Sequence, residues 1–159
     1  MQRLQFWRFD NEGVHAVISA SAHLGRSGLE RSLLELVYLR VSQLNDCSYC
    51  VDAHGRDALA SGVNPDLVRN LASWRENPSL TERERAALGW AEAVTEISET
   101  GAPDDVYRET AARFSEKELV DLTLGIGLMN AFARIAMAFR HGPPPMPALI
   151  DGPVATTGA

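Results

Sequence analysis

Two copies of one helix-starting device, Thr81-x-x-Glu84 and Ser115-x-x-Glu118, constrain this chain more than any other feature. In such a capping box the hydroxyl and the carboxylate answer each other's unpaired backbone N–H groups, so a helix must begin there. Asn64-Pro65 gives a third start, an N-cap residue followed by proline at the first helical position. Almost no stretch alternates apolar and polar residues as a half-buried strand would. The expectation is an all-α chain forming a compact helical bundle of about six or seven helices.

The predicted helices run over 11–24, 29–45, from the Cys47 region to Ser61-Gly62, from Pro65 to about Trp74, 81–97, from Pro103 to about Phe114, and 116–140. Helix 29–45 carries Leu33, Leu36, Val37 and Leu44 on its apolar side, and helix 81–97 carries Ala87, Trp90, Ala91 and Val94. The last helix is apolar over much of its circumference, which predicts burial on several faces, and Gly125 and Gly127 would permit close helix contact. Arg134 on that helix needs an acidic or carbonyl partner if it is buried. His141 reads as a histidine facing the negative end of the helix dipole. The bundle is expected to occupy 1–141, with a Pro-rich, extended C-terminal tail at 142–159.

Cys47 and Cys50 are the two cysteines of the chain, in the run Cys47-Ser48-Tyr49-Cys50, and His54 follows. On a helix, Cys47, Cys50 and His54 fall at i, i+3 and i+7 and project from one face, where His54 can reach Cys50. A helix N-terminus favours an anion and lowers a thiol's pKa, and a neighbouring imidazole can take the proton or stabilise the thiolate. Glu35, in the apolar run Leu33-Leu34-Glu35-Leu36-Val37, is costly to bury unless a cationic or hydrogen-bonding group meets it, and His54 is the natural candidate. A zinc site drawn from Cys47, Cys50, His54 and Glu35 is the rival, although structural zinc sites usually use two Cys pairs. A thioredoxin-like site needs a βαβ setting that these helical flanks do not offer.

The 159 residues, 45% hydrophobic and 23% charged, suit one domain with a real core. A net charge of −6 argues against nucleic acid and anionic membrane partners. The N-terminus has no apolar stretch with a cleavage site, and no run approaches the ~20 uncharged apolar residues needed to cross a bilayer. A cytoplasmic protein is expected, where two cysteines at this spacing are more plausibly catalytic than a structural staple.

The stretch from Leu34 to His54, with Thr81–Leu88 and Asn130–Arg134, resembles the AhpD-like alkylhydroperoxidases of the carboxymuconolactone decarboxylase superfamily, whose signature is Glu, then Cys-x-x-Cys, then His. The resemblance covers most of residues 1–140. It implies Cys50 as the peroxide-attacking cysteine, Cys47 as the resolving one, and His54 with Glu35 as a proton relay. It also implies a peroxide substrate, an external dithiol reductant, no cofactor, and a homo-oligomer, trimer or hexamer. Tyr49 stands where the best-studied branch has a second histidine, and Phe132 and Ala133 stand for the Trp and Asn of many relatives. The decarboxylase branch generally lacks the cysteine pair, so an acid–base enzyme using His54 and Glu35 is the alternative, with a non-catalytic metal-binding or redox-sensing module third.

Overall fold

A computed structural model describes residues 2–6 and 11–141. The elements are α1 (Glu12–Leu24), α2 (Arg31–Leu44), α3 (Ser48–Ala60), α4 (Pro65–Arg69), a 3₁₀ helix (Leu71–Glu76), α5 (Glu82–Thr95), α6 (Ile97–Thr100), α7 (Asp104–Ala111) and α8 (Glu116–Ala138). No strand occurs among the described residues. The expected Pro-rich tail at 142–159 lies outside them.

The starts fall where the caps put them. Both capping boxes are complete: the Thr81 and Ser115 hydroxyls accept from the Glu84 and Glu118 N–H groups, and each carboxylate reaches back. Asn64 caps α4, with Pro65 at its first position. The count exceeds six or seven because two expected helices divide. The segment to Trp74 breaks at Asn70 into α4 and the 3₁₀ helix. Helix α5 stops at Glu96, and a single extra turn, α6, ends on Gly101 in the left-handed region (φ 63°).

The central element is α2. Nine of its residues, Leu33 through Leu39 together with Val41 and Ser42, are buried, because leucine and valine occur all round its circumference. Leu34, Val37, Tyr38 and Val41 join the cluster made with α5 and α8, while Leu36 and Leu39 join the one made with α3, α4 and the 3₁₀ segment. The apolar circumference of α8 predicts burial on several of its faces. Instead α8 buries one side, including Leu122, Ile126, Met129 and Phe132, and leaves Val120 (66% exposed), Leu124 and Met137 outside. By length and composition α8 is apolar enough to cross a bilayer, against the sequence expectation, and core helices of soluble proteins meet the same criterion. Its inner face is a wall of the core.

Gly125 shows why α8 lies so close to α2. A Cβ at this position would come within 3.2 Å of the Tyr38 ring and hydroxyl and press that buried ring away, so glycine lets it lie close against the helix backbone. Gly127 has nothing nearby and makes no such contact. Arg134 is exposed and donates to the Asn130 carbonyl and side chain (both 2.9 Å), so the need for a buried partner does not arise.

Candidate redox site

Helices α2 and α3 are joined by a tight reversal. Asn45 ends α2, Asp46 takes a left-handed φ of 52°, and Cys47 caps α3. A short polar side chain such as Asp tolerates that conformation better than most. The Cys47 N–H donates to the Ser42 carbonyl (3.1 Å), and the Cys47 sulfur accepts from the Cys50 N–H (3.4 Å). Both sulfurs therefore sit in the first turn of α3, where unpaired amides and the helix dipole favour negative charge.

Cys47 and Cys50 are joined in a disulfide, with Cα atoms 5.3 Å apart. Both are buried, Cys50 (8% exposed) less deeply than Cys47 (3%). Ala133 and Ala136 of α8 pack on them together with Tyr49. Ala133 is small enough to lie against the disulfide.

One turn along α3 from Cys50, His54 is buried, and its Nδ1 lies 3.1 Å from Glu35 Oε2. Glu35 is fully buried on α2. Its second oxygen has no hydrogen-bond partner and is approached by Arg31 Nε at 4.0 Å. The Tyr38 ring stands edge-on to the His54 imidazole, centroids 5.4 Å apart. Burial first, and then the Glu35 carboxylate, push the Tyr38 phenol well above its ordinary pKa, so it stays protonated. The structure thus brings Glu35 of α2 to His54 and Cys47 to Cys50, with Cys50 and His54 on adjacent turns of α3.

Three neighbours were not singled out from sequence. Arg31 and Tyr38 flank Glu35 at i−4 and i+3, and Asp57 follows His54 at i+3, so helical spacing alone could have found them. Glu35, His54 and Asp57 have ligand atoms within 4.8 Å of one another, enough to share a metal ion. The four-ligand zinc set is not assembled in this oxidised state, since each cysteine sulfur is bonded to the other.

His141 follows α8, and more than the helix dipole surrounds it. It is buried beyond the end of α8, edge-on to Tyr49 (centroids 4.3 Å) and 5.7 Å from the Phe6 ring. Burial lowers its pKa, opposite to the effect of a helix C-terminus alone. The Arg3 N–H donates to the Phe139 carbonyl (2.9 Å), so both ends of the described chain meet beside the disulfide helix.

An all-helical bundle carrying Cys-x-x-Cys at a helix start, with a Glu–His pair from the two helices of that hairpin, defines an AhpD-like protein. The chain belongs to the Carboxymuconolactone decarboxylase family, whose model matches residues 14–93. It is 31% identical over 137 residues to the uncharacterized protein YdfG of Bacillus subtilis, covering 86% of this chain and 93% of that one. A crystal structure of an Agrobacterium tumefaciens protein of unknown function, provisionally assigned to antioxidant defence as AhpD, superposes with a TM-score of 0.86 at 40% identity, covering 91% of this chain and 99% of that one. A shorter match, 41% identical over 46 residues, is to the alkyl hydroperoxide reductase AhpD of Bradyrhizobium diazoefficiens, spanning 29% of this chain and 25% of that protein.

Proposed function

We propose that this chain is a thiol-dependent peroxidase that reduces hydrogen peroxide or an alkyl hydroperoxide through Cys50 and Cys47. The observation that carries this reading is the buried Glu35–His54 pair, set one helical turn from the disulfide.

In the reduced protein the Cys50 thiol gives its proton to His54. With Nδ1–H directed at Glu35, the other ring nitrogen is the base, and the carboxylate stabilises the imidazolium that forms. The Cys50 thiolate attacks the terminal peroxide oxygen, the O–O bond breaks, and the leaving alkoxide or hydroxide takes a proton, giving an alcohol or water and a Cys50 sulfenic acid. The Cys47 thiol then displaces water from that sulfenic acid and forms the disulfide. An external dithiol closes the cycle: it attacks the less buried Cys50 sulfur, Cys47 leaves as a thiolate capped by the Cys50 N–H, and the second thiol of the reductant completes the exchange.

The uncovered Val120, Leu124 and Met137 of α8 support assembly into a homo-oligomer, and a reducing cytoplasm suits a disulfide that must be reopened.

A thiol count before and after one equivalent of hydrogen peroxide tests the reading. Wild type should lose both thiols. Cys47→Ser should stop at a trappable sulfenic acid, and Cys50→Ser should consume no peroxide; undiminished turnover in Cys50→Ser overturns the assignment. Turnover of a lactone acid that survives both Cys→Ser changes would instead favour the acid–base alternative.

A further inference from the structure

A second concave site lies among α5, α7 and the 3₁₀ helix, built from other residues than the redox centre. It is a cleft of about 690 Å³ walled by Arg75, Arg85, Arg108 and Arg113. Four guanidinium groups around one cleft are notable in a chain whose net charge is −6. Two of them are neutralised within the protein: Arg75 pairs with Glu92 (2.6 Å) and Arg113 with Glu82 (3.4 Å). The other two have no carboxylate within ion-pair distance among the described residues. Arg85 donates to the backbone carbonyls of Arg75 and Asn77, and Arg108 to that of Asp104. These contacts fix the direction of each guanidinium and leave its charge unbalanced. Glu109 in the wall offsets one of the two, and a positive surplus remains.

Apart from the arginines, Glu82 and Glu109, the lining is Trp74 and small or apolar residues. Ala86 and Val106 form part of its lining, and Gly89 leaves space: a Cβ there would meet nothing nearer than Trp74 Cη2 at 4.0 Å. A low-dielectric floor below charges of one sign concentrates their field on whatever enters. Guanidinium groups match the paired oxygens of carboxylates and phosphates. An inorganic ion would leave the apolar floor unused, whereas a neutral hydrocarbon would leave the arginines unanswered.

We propose that this cleft binds a small organic anion, its carboxylate or phosphate held by Arg85 and Arg108 and its apolar body lying over Ala86, Gly89 and Val106. The site is independent of the cysteine chemistry and stands whether or not that chemistry is as proposed.

The test is a chemical-shift titration of the ¹⁵N-labelled full chain with benzoate, phenyl phosphate and benzyl alcohol. Saturable shifts at the Gly89 and Val106 amides are expected for at least one anion and not for the alcohol; which anion binds more tightly identifies the head group. Arg108→Gln, an exposed change touching only its own helix, should weaken binding by about three- to fivefold, the scale of one exposed charge pair. Gly89→Leu should abolish binding by filling the floor, and if that variant does not fold, Arg108→Gln decides. Neither anion binding, the alcohol binding equally, or an unchanged affinity in Arg108→Gln overturns the proposal.

Discussion

Glu35 and Glu92 are both carboxylates on core helices, and their surroundings are opposite. Glu92 on α5 accepts from Arg40 Nε (2.8 Å) and Trp74 Nε1 (2.8 Å) on one oxygen, and pairs with Arg75 (2.6 Å) on the other. Burial works against its charge, yet the bonds from Arg75, Trp74 and Arg40 outweigh that and hold its pKa below the ordinary value. Glu35 on α2 is buried more completely, is hydrogen-bonded to the His54 imidazole on one oxygen, and has no hydrogen bond on the other, which Arg31 Nε approaches at 4.0 Å. A carboxylate crowded with donors locks three segments of chain together. One left short of donors beside an imidazole is a poor staple and a good partner for a moving proton.

Separate substitutions should pull the two roles apart. The largest effect is expected for Glu35→Gln, which should slow peroxide consumption by about 10²–10⁴-fold, the usual contribution of positioned acid–base groups, while thermal unfolding shifts little. A large loss of stability with activity retained would invert the comparison. Glu92→Ala should do the reverse. It leaves Arg40 and the Trp74 N–H without their acceptor, costing about 2–3 kcal/mol in chemical denaturation, with peroxide turnover per folded molecule preserved.

Acid sharpens the contrast. Glu118 is held down to about 2, first by the Ser115 backbone N–H and then by Arg83, and Glu92 is also held below its ordinary value. The unfolded chain therefore binds protons before the folded one does, and stability should fall as pH drops from about 4.5 toward about 2. Glu92→Ala should flatten part of that acid limb in urea midpoints measured against pH. Smallest is Ser115→Ala, which removes one cap and should cost about 1 kcal/mol without touching the redox chemistry.

Much of this was legible because the signals are local. Thr81, Ser115 and Asn64 mark helix starts through bonds spanning two or three residues, and the structure places those starts as read. The ends were less clear. The break at Asn70 and the extra turn before Gly101 depend on how α4, α5 and α7 fit against their neighbours, which no local residue announces. The same limit applies to helix burial. An apolar circumference does not say what covers it: α8 buries one side in the core and leaves Val120 and Leu124 exposed, while α2, interrupted by Glu35 and Arg40, is buried at nine of its fourteen residues. The burial of His141 was hidden for a related reason: the helix dipole is visible in sequence, whereas Phe6, more than 130 residues away, is not.

From its residues alone the chain determined an all-helical fold, a cysteine pair at a helix start, and a histidine one turn beyond, because caps and helical periodicity act within a few residues. Tertiary structure decided that Glu35 meets His54, that Tyr38 lies on Gly125, and that four arginines converge on one cleft. Those meetings depend on how closely and at what angle helices cross, which is set by the packing of all the side chains between them.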